Sequence, residues 1–342
     1  YKRQALLSKK FNLTLPLELS YLTVGELKFP VVSLTEWAGF LVNRNCFHIL
    51  VGLLQPDPAR ERAILKSFWT SFAEVHPGHE ILEHFAQGRS RPEFTAPLLY
   101  HGDEGRGKRR QAFLVCNFHS MLGRGTVASR AKQKVTGGTY IKLKTNFLGH
   151  SLTTRYIHAA LPKKLVQEPG IFEAVMQHAV DESTKMLHTG VVHPYTGERF
   201  WMATLGVVGD WMFLHKAGKL ARSFNNVEKH ASHVGKGLCH ICQAGQPDVP
   251  WEGLHLRAPP WVPTMHVEDP FKAPPCFLSL PKVPGQGANI FRFDVFHTLH
   301  LGLGKGFVGS ALAMLSDTFR GNIETRFKQL DFISWAKSAK KV

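Results

Sequence analysis

The chain has 342 residues, of which 44% are hydrophobic and 20% are charged, a globular composition that is large enough for two domains. The formal net charge of +16 favours polyanionic partners, with nucleic acid ahead of a membrane surface, and a plain solvated cationic surface is the alternative. Five cysteines argue against a secreted disulfide framework, and no apolar run reaches the roughly 18–20 residues of a membrane span, so we expect no membrane partner.

Residues 1–95 are predicted to form a helical N-terminal region. Ser33 and Glu36 have the spacing of a capping box, and Asp57 followed by Pro58 is typical of a helix N-cap and first turn. Aromatic residues then recur at helical spacing, which predicts a buried face rather than a base-stacking surface.

Residues 96–222 are predicted to form the first part of an α/β core. Apolar runs at 96–100 and 111–118 indicate a hairpin around a Gly-rich basic turn, and residues 141–147 alternate with period two. A weaker strand candidate covers residues 152–161. A helix is expected from Ile171 to about Gly190, and the continuously apolar run 199–208 indicates a strand buried on both faces.

Residues 223–290 are rich in Pro, Gly, His and Trp and show little periodicity, so we predict an inserted Cys/His loop segment that needs a local staple. Residues 291–342 are predicted to continue the core, mainly as helix. Because the chain begins at Tyr1 and stops in an amphipathic stretch, we interpret it as a fragment with a truncated core.

Three acids follow apolar runs, namely Asp103, Asp210 and Asp294. A carboxylate at the tip of a buried strand reaches a cleft while its backbone is held rigidly. Two or three such carboxylates can hold a pair of Mg²⁺ or Mn²⁺ ions, which clamp the oxygens of a phosphodiester. Strands, a helix and then a central strand with a second acid is the element order of an RNase H-like nuclease core.

Two other motifs carry chemistry. The segment from Gly102 to Lys108 has P-loop spacing, but Arg109 stands where Ser or Thr binds Mg²⁺. A Gly-rich basic hairpin that touches phosphate and a plain solvated turn are both better interpretations. Cys239 and Cys242 form a Cys-x-x-Cys pair, for which a structural Zn²⁺ site and a reduced, unliganded pair are both open. Further zinc ligands would come from His230, His233, His240, His255, His266 or Cys276.

The basic residues near these motifs are candidate phosphate contacts, which position a nucleic acid without reading its sequence. A solvated face is the alternative for any one of them. The candidates are Arg106, Lys108, Arg109, Arg110, Lys216, Lys219 and Arg222.

The order of these motifs resembles the CACTA (En/Spm-type) transposases over roughly residues 96–315. The segments that carry the resemblance are the Gly-Asp at 102–103, GDWMFLHKAGKLARS at 209–223, CHIC at 239–242 and FDVFHTLHLGLGKGF at 293–307. The resemblance implies an RNase H-like DDE/D core with an inserted zinc-type segment. Asp103 and Asp210 would be the first and second acids, and Asp294 would lie in an Asp-x-x-His segment.

The resemblance also implies a transposable-element protein that binds DNA in the nucleus, with metal-dependent strand cleavage and transfer as its ancestral chemistry. Departures from the family pattern around Trp211 and Phe296 leave open a domesticated copy without activity. The alternatives are a non-catalytic, zinc-stapled DNA-binding or interaction protein and, third, a P-loop nucleotide hydrolase. Self-association into a homo-oligomer is left open.

Overall fold

The computed structural model describes residues 15–106, 112–126, 143–146, 151–226, 235–252, 256–293 and 307–311. The chain forms two compact units, Tyr1–Arg292 and Phe293–Val342. The first unit is an α/β structure built on a curled, mixed five-stranded sheet. In the second unit, residues 307–311 are helical. The boundaries that the sequence predicts at 95/96 and 222/223 stay predictions.

The N-terminal region contains three helices, α1 (Leu34–Asn43), α2 (Pro58–Val75) and α3 (Glu80–Ala86). Both predicted caps are confirmed, because the Ser33 hydroxyl accepts from the Glu36 amide at 3.1 Å and Asp57 accepts from the Arg60 amide at 3.1 Å. A hairpin that the helical prediction missed precedes them, formed by β1 (Ser20–Val24) and β2 (Leu27–Val31). The signal was present in β2, whose sequence LKFPV alternates with Phe29 and Val31 buried, a pattern that indicates a half-buried strand.

The sheet has the strand order β5-β4-β3-β7-β6. Its strands are β3 (Thr95–Arg106), β4 (Ala112–Ser120), β5 (Tyr156–Pro162), β6 (Val191–Val192) and β7 (Arg199–Gly209). β3, β4 and β5 form an antiparallel meander, β7 lies parallel to β3, and β6 is antiparallel to β7. Four helices complete this part: α4 (Ser151–Thr154), α5 (Lys163–Val166), α6 (Ile171–His188) and α7 (Trp211–Ala217). The predicted strands at 96–100, 111–118 and 199–208 and the helix from Ile171 are therefore confirmed. β3 continues to Arg106 through part of the predicted Gly-rich turn, and the weaker candidate at 152–161 is a strand only from Tyr156.

Both faces of the central strands are covered, as the apolar run in β7 predicts. On one face α6 contributes to the main core and its Ser183 hydroxyl lies 2.9 Å from the Thr204 hydroxyl. On the other face the Trp69 indole N–H donates to the Thr95 carbonyl at 2.8 Å, and Trp69 belongs to a second cluster with Leu205. Each such buried side chain contributes about 1.5–3 kcal/mol, which holds the strands rigidly.

A register shift aligns the ends of the two parallel strands. Leu98 pairs with Thr204, but two residues later Tyr100 pairs with Val207, so β7 carries one extra residue. Because of this bulge, Leu205 faces the second cluster whereas Val207 faces the main core. The pairing then continues until Gly102 lies opposite Gly209.

The predicted insertion contains short 3₁₀ turns in its described part, such as Cys276–Ser279 and Gly287–Ile290. At the end of the insertion Phe291 forms a parallel bridge to Val207. The chain therefore leaves the sheet at the end of β7, passes through α7 and the insertion, and returns beside β7. Of the alternating segment at 141–147 only Leu143–Asn146 are described, and they contain a single antiparallel bridge between Thr145 and Leu122. Among the described helices, none has the length and apolarity required to cross a bilayer.

Candidate functional site

Asp103 and Asp210 each follow a glycine of the β3–β7 pair, but Asp103 lies within β3, before its end at Arg106, and not at the strand tip as the sequence predicted, whereas Asp210 follows β7 as the N-cap of α7. Gly102 on β3 pairs with Gly209 at the end of β7, and each glycine is followed directly by an aspartate. Paired strands lie about 4.8 Å apart, and residues at the same level of a parallel pair point to the same face. The backbones of the two aspartates therefore start from neighbouring positions, and the separation of the two carboxylates decides whether they can share a divalent cation.

The glycines at this point are required by close packing. A Cβ atom on Gly102 would lie 2.1 Å from the Phe213 ring, and one on Gly209 would lie 2.3 Å from the Gly102 carbonyl oxygen. Neither distance leaves room for a side chain. Gly102 thus lets α7 approach β3, and Asp103, the next residue on the strand, points to the face opposite to Phe213.

Asp210 also has a structural role, because it is the N-cap of α7. Its Oδ1 accepts from the Phe213 backbone N–H at 2.7 Å. This bond fixes the carboxylate at the strand end. Asp103 has an exposed side chain on β3, and Asp294 lies outside the described residues.

A polar row that sequence reasoning missed runs beside Asp103 on the same face of the sheet. His101 pairs with Asn117 across β3 and β4, and the Asn117 side-chain nitrogen lies 3.3 Å from His101 Nδ1. His119 follows on β4, with its ring 6.2 Å from that of His101. The signal was the alternation on both strands, in which His101 and Asp103 share one face and Asn117 and His119 share the same face of the neighbouring strand.

The imidazole of His119 is neutral at pH 7. Burial lowers its pKa to about 3, and the positive charges of Arg155 and His101 add to the effect. Asn117 Oδ1 and His119 Nδ1 are both buried and have no hydrogen-bond partner among the residues that the structure describes. Asn117 and His119 therefore contribute uncharged hydrogen-bonding groups on the face of the sheet that carries Asp103.

The cysteine pair could supply two of the four ligands of a structural zinc site. A hydrogen bond with Cys242 is the main cause that lowers the pKa of Cys239 to about 6, while the pKa of Cys242 is raised by the same contact. The Ile241 backbone N–H also donates to Cys239 Sγ at 3.3 Å. A thiolate at neutral pH is the form that binds Zn²⁺.

His240 does not join this pair as the sequence predicted. It is 1% exposed, its Nε2 lies 2.9 Å from the Phe291 carbonyl oxygen, and its ring packs 5.5 Å from that of Trp211. Burial lowers its pKa to about 4. Within the described ranges no group of three or more His, Cys, Asp or Glu side chains could hold a metal ion. His240 instead ties the insertion to the returning segment, and His230, His233 and His255 lie outside the described residues.

The predicted phosphate contacts separate into different environments. Lys216 and Lys219 are exposed after the first turns of α7, and Lys216 Nζ lies 4.0 Å from the centroid of the Phe172 ring. Arg222 differs from the prediction, because it is 3% exposed and donates to the Glu268 carbonyl at 2.9 Å. Its burial and its bond to Glu268 give it a structural role at the start of the insertion.

The remaining basic candidates lie at the turn between β3 and β4. Arg106 ends β3, and Lys108, Arg109 and Arg110 lie outside the described residues. The antiparallel strand β4 begins at Ala112, where a P-loop requires a helix, so the P-loop interpretation is wrong.

Comparisons with protein-family models, with curated proteins and with solved structures found no match to this chain. A function for it therefore has to be argued from the acid pair, the cysteine pair and the distribution of charge.

Proposed function

We propose that this chain is a transposase-derived, nucleic-acid-binding protein whose acid pair, Asp103 and Asp210, holds Mg²⁺ or Mn²⁺ for DNA strand cleavage and transfer. The observation that carries the proposal is the register of β3 and β7, which sets the two Gly-Asp pairs side by side. Divalent ions at that point would activate water or a 3′-hydroxyl and stabilise the leaving oxygen.

The order of elements supports an RNase H-like core. An antiparallel meander of three strands is followed by helix α6 and then by β7, which returns parallel to the first strand of the meander. The second acid follows that returning strand, as in the element order expected for such a nuclease. The bridge from Phe291 to Val207 adds a further parallel contact on the outer side of β7.

Charge supports a nucleic-acid substrate. The net charge is +16, and Lys216 and Lys219 are exposed on the segment that Asp210 begins. At about 1.5 Å per helical residue, Lys216 lies roughly 9 Å along the axis from Asp210. A lysine at that distance can contact a phosphate next to the one held at the acids.

Within this proposal each acid has a separate task. Asp210 is held by its N-cap bond to Phe213, so it presents a carboxylate of fixed orientation. Asp103 is exposed and completes the pair from the adjacent strand. Asp294 stays the predicted third acid.

The test is cleavage of a labelled DNA duplex in Mn²⁺ or Mg²⁺ by the wild-type chain and by the Asp103→Asn and Asp210→Asn variants. Each variant should lose at least about 100-fold in rate, because losing a metal ligand removes several kcal/mol of transition-state stabilisation. Asparagine caps a helix as well as aspartate does, so Asp210→Asn should remain folded.

The matched control is Asp181→Asn, an exposed aspartate on α6 that accepts from the Gln177 side chain at 2.8 Å. It should cleave at the wild-type rate. Cleavage that needs no divalent ion, or that survives in both acid variants, would sink the catalytic proposal.

A second candidate function is a non-catalytic DNA-binding or interaction protein whose insertion is stapled by Zn²⁺. The contact between Cys239 and Cys242, with the lowered pKa of Cys239, favours it. DNA binding with one bound zinc and no metal-dependent cleavage would support this candidate over the first.

A further inference from the structure

A cavity of about 330 Å³ lies at the end of the sheet opposite to the acid pair. α1 contributes its C-terminal end, α2 its first turns, and the β6–β7 connection closes one side. Its lining includes Glu198 and Phe200 at the start of β7, whereas Asp210 follows the other end of that strand. At about 3.3 Å per strand residue the two sites are roughly 35 Å apart. The cavity is therefore separate from the site proposed above.

Three phenylalanine rings form the apolar part of the cavity. The rings of Phe47 and Phe200 have centroids 4.6 Å apart, and those of Phe94 and Phe200 are 5.4 Å apart. Phe47 and Phe94 are 4% and 2% exposed, so the aromatic wall is fixed by packing. Such a wall suits a flat or branched apolar group.

The charged groups that line the cavity are mainly acidic, in a chain that is strongly basic as a whole. Glu61, Glu93 and Glu198 line it together with a single arginine, Arg62. Glu198 is paired with Arg62 at 2.6 Å, and Glu93 is paired with Arg91. Two of the three carboxylates therefore already have a cationic partner.

Glu61 is the carboxylate that lacks one. It is 8% exposed, and among the described residues it forms no salt bridge. Its Oε1 accepts from the Asp57 backbone N–H at 3.1 Å. Burial is the main cause that raises its pKa, although the Asp57 hydrogen bond and the charges on His48 and Arg62 oppose the shift. A buried carboxylate that has no direct ion pair is stabilised when a cation contacts it.

We propose that this cavity binds an organic monocation, an ammonium or guanidinium group on an aromatic or branched apolar body. The cation would pair with Glu61, and the apolar body would pack against Phe47, Phe94 and Phe200. The same chemistry is present in a free arylalkylamine and in the basic side chain of a peptide next to an aromatic residue.

The test is isothermal titration calorimetry of the whole chain with phenethylammonium and, separately, with the dipeptide amide acetyl-Phe-Arg-NH₂, in which the guanidinium is the only charge. Saturable one-to-one binding of either is expected, in the millimolar range or tighter, and the tighter arm identifies the source. The neutral analogue 2-phenylethanol should bind at least tenfold more weakly, because it cannot pair with Glu61.

Glu61→Gln keeps an acceptor for the Asp57 amide but removes the charge, and should weaken phenethylammonium binding at least tenfold. Glu74→Gln is the matched control, since Glu74 is exposed at the far end of the same helix. The proposal is overturned if neither probe binds in the millimolar range or tighter. It is also overturned if phenylethanol binds as well as the amine, or if Glu74→Gln weakens binding as much as Glu61→Gln does. Because this readout needs neither DNA nor a divalent metal, its failure is independent of the cleavage proposal.

Discussion

Replacing Gly102 with alanine tests how the acid pair is held in place. The added Cβ would lie 2.1 and 2.2 Å from two carbon atoms of the Phe213 ring. Carbon atoms in contact need about 3.5 Å, so the ring would have to retreat by roughly 1.4 Å. Phe213 is 5% exposed and packs against Phe172 with ring centroids 6.1 Å apart, so the ring cannot move alone.

The helix α7 must then shift as a unit, and Asp210, its N-cap, shifts with it. Overpacking of this kind typically destabilises a protein by about 1–3 kcal/mol. We expect Gly102→Ala to lower the free energy of unfolding by that amount, so that the variant unfolds at a lower urea concentration. We also expect it to weaken Mn²⁺ binding. Both quantities are measured on the purified chain, by urea denaturation followed by tryptophan fluorescence and by calorimetry.

Gly105→Ala is the control, because a Cβ on Gly105 in the same strand has no heavy atom within 4 Å. It should change the free energy of unfolding by less than about 0.5 kcal/mol. Adding Phe213→Leu to Gly102→Ala should recover part of the loss, with a coupling energy of about 1 kcal/mol or more. Equal stabilities of the Gly102→Ala and Gly105→Ala variants would refute the packing argument.

Three further outcomes are expected. Purified protein should carry about one zinc ion, and the Cys239→Ser, Cys242→Ser double variant should lose it. Elemental analysis that finds no zinc in the wild type would contradict a structural Zn²⁺ site. Lys216→Gln and Lys219→Gln should each reduce the slope of log affinity against log salt by about one in a DNA-binding titration, and an unchanged slope would exclude them as phosphate contacts. Arg222→Met should lower stability by about 1–3 kcal/mol through loss of its bond to the Glu268 carbonyl and leave the salt slope unchanged; a changed slope with intact stability would restore its role in DNA binding.

Local sequence patterns were sufficient to predict those elements whose structure depends on residues close together in the chain. The Ser33 and Asp57 caps, the helix from Ile171 and the buried strand β7 all follow from short-range chemistry. The neighbourhood of Asp103 and Asp210 could also be predicted, since a helix between two apolar strands commonly returns the second strand parallel to the first. The bulge that sets Gly102 opposite Gly209 could not, because it depends on which cluster each β7 side chain joins.

The misassigned residues failed for a different reason. His240 and Arg222 look like a ligand and a phosphate contact in sequence, yet both are buried by the fold of the insertion, where little periodicity reports burial. The His101, Asn117 and His119 row was overlooked because each residue is unremarkable alone. Its members come together only through the antiparallel pairing of β3 and β4.

The central claim is that Asp103 and Asp210 jointly hold a divalent metal ion. The most direct measurement is anomalous diffraction from crystals of the chain grown with Mn²⁺. The claim predicts a manganese peak within about 2.5 Å of an oxygen from each carboxylate, absent in Asp103→Asn crystals. Carboxylates that lie more than about 10 Å apart, too far to share the ions of a two-metal site, would contradict it.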